Sequence, residues 1–166
     1  FGTRTPLLLI KAQSIETWDP ESGFPEGCSV LVPFQDPENV GALIRSAVAF
    51  GARQVILLAE SAHPYHVKAV RASGGAVLRA TLLQGPALED LPQWLPLIPL
   101  SAEGKDIRKV IFPDSFGLLP GLEGQGIPEA FRRQAVSIPI RPVVESLNAA
   151  TAAAIALYEW SRITGF

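Results

Sequence analysis

Short apolar runs at residues 29–34, 54–59, 80–83, 97–100, 117–120 and 135–138 alternate with helical patterns and turn residues. This alternation predicts an α/β fold: a mostly parallel sheet flanked by helices on both faces. Parallel strands need crossover connections, and the crossovers cover the sheet. With 166 residues and 48% apolar content the chain can bury a substantial core, which excludes the disordered class. Fifteen prolines and fourteen glycines predict frequent tight turns rather than long helices.

A first helix running to about Phe50 is expected after Asp36, Pro37, Glu38 and Asn39, which supply turn chemistry and an N-cap. Leu43, Ile44, Ala47, Val48 and Phe50 form its apolar stripe, and Gly51 suits its C-cap. Arg45 falls off that stripe beside the small Ala42 and Ala49, so its guanidinium is expected to reach solvent or a partner. A short helix through Val67 and Val70 should end near Ser73, Gly74 and Gly75. Helices are also expected over 86–94, with proline near the start, and over the alanine-rich 145–162. Residues 14–27 read as a surface loop. In this reading 1–28 are a lead-in or the remnant of an upstream region, and 29–166 form the domain proper. A chain that begins with Phe1 and has no methionine is expected to have lost a segment upstream.

The single cysteine, Cys28, rules out an internal disulfide and a cysteine-cluster metal site, and it fits a reducing compartment. With no signal sequence and no apolar run near membrane-spanning length, cytoplasm is the expected location, with no membrane partner. His63 and His66 lie three apart without a carboxylate pair to complete a zinc site, so no metal is expected. A net charge of −2 argues against holding nucleic acid by bulk electrostatics alone. The charge is uneven: residues 1–38 carry a net −4 and residues 39–166 a net +2. Any anion site must be local.

Three polar or glycine-bearing segments fall where expected strands end or helices begin: 39–45, 121–126 and 146–148. Open α/β sheets place ligand sites at such junctions, where backbone donors are free. Three of them suggest one composite site. Taken alone, the first is a capped helix, the second a glycine-rich loop and the third another cap. Arg45, a turn and a half from an anion-favouring helix start, raises the first above a bare cap. The glycines at 121, 124 and 126 are no dinucleotide fingerprint, because they come late and no strand–loop–long-helix unit follows. Nor is this a P-loop, since no Gly-Lys-Ser/Thr follows. Glu123 between them is either a solvated charge or a hydrogen-bond acceptor for a ligand. No Ser–His–Asp or paired-carboxylate arrangement is visible.

In this order and spacing the segments resemble the motifs of the SpoU/TrmH class of SPOUT RNA methyltransferases. The match runs through Asn39, Gly41 and Arg45 with Ala49, Phe50 and Gly51. It continues through Arg71, Ala72, Ser73, Gly75 and Ala76, then Leu119, Gly121, Glu123, Gly124 and Gly126. It closes on Ile138 and Pro139, Ser146, Leu147 and Asn148, and Leu157, Tyr158 and Glu159. The resemblance implies a C-terminal deep trefoil knot whose loops bind S-adenosyl-L-methionine, and a homodimer that completes the active site. Leu100, Gly121, Ile138 and Leu147 would then line the cofactor site.

The implied reaction is methyl transfer to a ribose 2′-hydroxyl of RNA, ribosomal or transfer. Arg45 carries over as the central catalytic residue, with Asn39, Glu123, Ser146 and Asn148 around the substrate. Arg45, Arg71 and Arg141 are the RNA-binding candidates, with Arg132 and Arg133 as further basic groups. A guanidinium offers donors and no acceptor, so Arg45 is read as an electrostatic stabiliser and phosphate clamp rather than a base. Many members of the class carry a separate N-terminal RNA-recognition domain. The stretch before the first matched strand is too short and too acidic to be one.

Two other readings compete. A catalytically silent cofactor- or RNA-binding dimerisation module could keep the fold, but it would be free to lose Asn39, Arg45, Glu123, Ser146 and Asn148. A nicotinamide dehydrogenase fits the α/β pattern but lacks the early glycine fingerprint.

Overall fold

The computed structural model describes residues 11–12, 14–122 and 126–165. Its strands are β1 (Glu16–Thr17), β2 (Gly27–Val32), β3 (Gln54–Leu57), β4 (Leu82–Gln84), β5 (Leu97–Asp106), β6 (Ser115–Leu119) and β7 (Val136–Ser137). They form one seven-stranded sheet in the order β1-β4-β3-β2-β6-β5-β7, with every pairing parallel. The helices are α1 (Pro37–Ala49), α2 (Val67–Ala72), α3 (Glu129–Arg132) and α4 (Ala149–Thr164). No helix among the described residues is long and apolar enough to cross a membrane.

Strand periodicity sorts the core into two layers. Val30, Val32, Val55 and Leu57 face α1 and α4, packing with Leu43, Ile44, Ala47, Ala153 and Leu157. Leu31, Ile56 and Leu58 face the other way, toward Trp18, Leu88, Leu91 and Phe131. The parallel sheet is thus covered on both faces, as expected. One cover includes the long helices α1 and α4, and the other is built from short elements, the 3-10 turn at Leu88–Asp90 and the four-residue α3 among them.

α1 is fixed at both ends by local chemistry. Asp36 Oδ1 accepts from Glu38 N at 2.9 Å, and Pro37 occupies the first turn, where a missing N–H costs nothing. At the other end Gly51 adopts φ +75°, and Ala52 N donates back to Ala47 O at 2.9 Å, closing a left-handed cap. Gly41 has a different role. A Cβ there would lie 2.2 Å from Ala69 O and 2.8 Å from Ala72 Cβ, so only glycine lets α1 and α2 approach this closely.

Several expectations need correction. Residues 14–27 are not simply a surface loop: Glu16 and Thr17 pair with Leu83 and Gln84 of β4. Trp18 is buried and stacks on Phe24 at 5.3 Å, and its Nε1 donates to Gly23 O at 3.2 Å. A two-residue strand has no periodicity to detect. The helix expected over 86–94 is only a 3-10 turn at Leu88–Asp90. Pro92 drives Leu91 to an extended conformation, and Leu88 N is taken by Glu60 Oε1 at 2.9 Å. β5 runs beyond residue 100 through a bulge, with Leu100 and Lys105 both facing Val136. Its polar second half carries no strand pattern. α4 starts at Ala149 rather than 145, leaving 145–148 as loop. In α1 the buried residues are Val40, Gly41, Leu43, Ile44 and Ala47, while Val48 and Phe50 are only half-buried.

Candidate active site

Where β5 leaves its pairing with β6, and beyond the C-terminal ends of β6 and β7, a cleft of about 980 Å³ opens. Leu100, Ser101 and Ala102 form the β5 wall, and Pro120, Gly121 and Leu122 follow β6. β7 and the segment after it, from Val136 to Ile140, and the loop 144–148 before α4 complete it. This is the edge at which parallel α/β sheets present ligand sites. The walls mix apolar side chains with exposed loop backbone and a few hydroxyls and amides, the usual character of a small-molecule site of this size.

Two glycine contacts shape the cleft. Leu122 and Gly126 exchange backbone hydrogen bonds at 2.8 and 2.9 Å as an isolated antiparallel bridge. A Cβ on Gly121 would lie 3.2 Å from Gly126 Cα and C, tighter than ordinary contact, so a side chain there would press Gly126 outward. Across β5, a Cβ on Gly104 would come within 2.6 Å of Ala135 O, which lets the bulged ribbon lie against β7.

At the rim, Asn148 joins two segments that are 109 residues apart. Its Nδ2 donates to Asn39 Oδ1 at 3.1 Å, while its Oδ1 accepts from Thr151 N at 3.1 Å as the cap of α4. One amide therefore caps α4 and ties it to the first turn of α1. Six residues on from Asn39 the helix has turned by about 240°, and Arg45 lies on the α2 side. Its guanidinium carbon would be 3.7 Å from a Cβ on Gly74, in the turn where Gly74 and Gly75 both have positive φ.

All four residues expected to line a cofactor site, Leu100, Gly121, Ile138 and Leu147, line this cleft, and so do Ser146 and Asn148. Asn39 reaches it through Asn148. Arg45 does not line it and lies exposed against the Gly74 turn. Arg71 and Arg141 are exposed. Glu123 lies outside the described residues. Glu145 was missed as a cleft residue: it supplies a carboxylate to the wall directly before Ser146, and that position was the available clue. Ser101 and Ser137 were missed too, because neither the polar part of β5 nor the two-residue β7 carries a periodic signal. His63 and His66 have local roles, accepting through Nδ1 from Tyr65 N and Lys68 N. Among the described residues no group of three or more His, Cys, Asp or Glu could hold a metal ion.

The perturbed titrations lie away from the cleft floor. A two-pronged hydrogen bond from Arg108 holds the half-buried Asp106 carboxyl at about 2. Arg162 likewise lowers Glu159. Burial pushes the Cys28 thiol far above its ordinary range, which makes it an inert core group.

The sequence pattern of the SpoU rRNA Methylase family matches residues 28–158. The chain belongs to that family. A ribosomal RNA small subunit methyltransferase G 2 of Syntrophobacter fumaroxidans is 74% identical over 98% of the chain, which spans 32% of that relative's length. A 23S rRNA (uridine(2479)-2'-O)-methyltransferase of Streptomyces viridochromogenes is 32% identical over 76% of the chain, which spans 49% of that protein. Among solved structures, an AdoMet-bound rRNA methyltransferase from Sinorhizobium meliloti superposes with a TM-score of 0.76 at 29% identity, covering 87% of this chain and 59% of its own. This SpoU-family chain thus corresponds to a third to a half of the length of the relatives it matches.

Proposed function

We propose that this chain is the catalytic domain of an S-adenosylmethionine-dependent ribose 2′-O-methyltransferase acting on ribosomal RNA. The observation that carries the reading is the cleft, where Leu100, Gly121, Ile138 and Leu147 converge from segments up to 47 residues apart. Its donor set fits the cofactor. Apolar walls suit a flat base, loop backbone suits its edge and the ribose, and Ser101, Ser146 and Glu145 suit the charged amino-acid end. The trefoil knot of this family belongs to the same reading.

When bound, S-adenosylmethionine supplies a methyl group already activated on a sulfonium, which leaves as a neutral thioether once the methyl has passed to the 2′-oxygen. The chain itself must orient the hydroxyl and favour loss of its proton to solvent water. Arg45, rich in donors and without an acceptor, stabilises the charge that develops on the oxygen and clamps the adjoining phosphate. Asn148 holds Asn39 and the start of α4 in register beside the cleft.

The site is completed by a second copy. α1 packs against both α2 and α4, with Arg45 on the α2 side and the cleft beyond the start of α4. An Arg45 that faces away from the cleft of its own subunit can serve the cleft of a partner. The test is methyl transfer from radiolabelled cofactor to protein-free ribosomal RNA, with the product nucleosides separated. Label in a 2′-O-methyl nucleoside supports the reading; label only in a base, or none with cofactor bound, overturns it.

A further inference from the structure

Residues 39–80 carry five basic side chains, Arg45, Arg53, Lys68, Arg71 and Arg79, against one acid, Glu60. The segment is net +4 in a chain of net −2, so the rest is net −6. All five basic residues are exposed. Their pairing differs from that of three arginines elsewhere in the chain. Arg108, Arg132 and Arg162 are held by Asp106, Glu129 and Glu159 at 2.6, 3.1 and 2.6 Å. Arg45, Arg71 and Arg79 join no ion pair among the described residues, and Lys68 has only a loose 3.6 Å contact to Glu38.

These cations share one compact unit. Lys68 and Arg71 are one turn apart on α2, Gly74 N donates to Arg71 O at 3.0 Å, and Arg79 closes the 3-10 turn at Ala76–Leu78. Val67 and Leu78 stand exposed beside them, at 61% and 52%. A Cβ on Gly75 would meet nothing within 4 Å and one on Gly74 would meet only Arg45, so a ligand backbone can approach the turn closely.

From the methyltransferase reading above, we propose that Lys68, Arg71 and Arg79 form a phosphate-tracking strip for RNA. The strip runs along α2 and the turn after it and delivers the strand to Arg45. The partner chemistry follows from charge: guanidinium groups without carboxylate partners around an open glycine turn suit successive phosphates, and the exposed Val67 and Leu78 offer apolar contact to a sugar or base. Affinity on such a surface comes from counterion release and carries little sequence preference. The strip thus supplies local RNA affinity on a chain whose net charge would otherwise repel RNA.

The test uses the charge-reversal pair Arg71→Glu with Arg79→Glu, and Lys109→Glu in the 3-10 turn after β5 as a control of the same sign. Binding of a fluorescein-labelled single-stranded RNA is followed across a salt series, with calorimetric titration of S-adenosylmethionine on the same samples. The pair should lose roughly fivefold or more in affinity per contact at 0.1 M salt, and the slope of log affinity on log salt should fall by about 1 per residue. Cofactor binding and the control should stay at wild-type values. RNA affinity and slope unchanged in the pair, or an equal loss in the control, would overturn the strip while leaving the methyltransferase reading intact. Failure of the wild-type chain to bind the cofactor would instead count against the reading on which the strip rests.

Discussion

The α1–α2 pair and the cleft beside α4 solve opposite problems within one sheet. The helix pair is tightly packed and cationic at its surface, with Gly41 against the Ala69 carbonyl and guanidinium groups left without carboxylate partners. The cleft is open and mostly uncharged, built from loop backbone, apolar walls and the carboxylate of Glu145. A polyanion requires the first kind of surface, and a small cofactor that must be desolvated requires the second. The hydrogen bond from Asn148 to Asn39 links the two regions. Under the function proposed above, the difference teaches that substrate and cofactor would be handled by separate parts that must be held in register.

Substitutions can break or sharpen this contrast. The largest effect is expected from Arg45→Lys, which keeps the charge but loses the planar fork. Turnover should fall roughly 10²- to 10³-fold, as when one oxyanion donor is lost, with cofactor affinity unchanged by calorimetry. Full activity would remove Arg45 from the chemistry. Gly41→Ala comes next. The new methyl meets backbone rather than a side chain that could swing aside, so about 3 kcal/mol of stability should be lost in urea denaturation.

Asn148→Asp is subtler, because aspartate is an equally good cap for α4 but cannot donate to Asn39. The midpoint of unfolding should barely move while methyl transfer falls about tenfold, whereas Asn148→Ala should also cost about 1 kcal/mol of stability. Unimpaired transfer by Asn148→Asp would show that the two regions need no tie.

The smallest effect concerns the Asp106–Arg108 pair. The folded value of Asp106 is depressed from 3.8 to about 2, so the stabilisation is present above pH 4 and is lost as pH falls from about 4 through about 2. The Arg108 guanidinium is well exposed to solvent, so the change should be slight. NMR titration of Arg108→Gln should return the Asp106 carboxyl toward 3.8.

The sequence revealed the parallel sheet because buried strands such as β2 and β3 are continuous apolar runs, and it revealed α1 because cap, stripe and terminal glycine agree. β1 and the polar half of β5 carry no periodicity, and the 86–94 helix was overridden by Pro92 and by a side chain from residue 60. In the site, the motifs brought Leu100, Gly121, Ile138 and Leu147 to one cleft. They did not reveal that Gly41 is a packing residue, since that depends on where α2 lies. Nor could spacing show that Asn39 turns toward α4 and Arg45 toward α2. Both sit on one helix, and their separation becomes visible only once its neighbours are in place.

The most direct test of the account mixes two inactive variants, Arg45→Lys and Leu147→Arg, after unfolding and refolding them together. If Arg45 of one copy serves the cleft of the other, each mixed dimer contains one site with neither substitution, and methyl transfer should return to at most about a quarter of the wild-type rate. No recovery, with mixed dimers demonstrated by native mass spectrometry, would contradict the claim that the cationic helix pair and the cofactor cleft meet across two subunits.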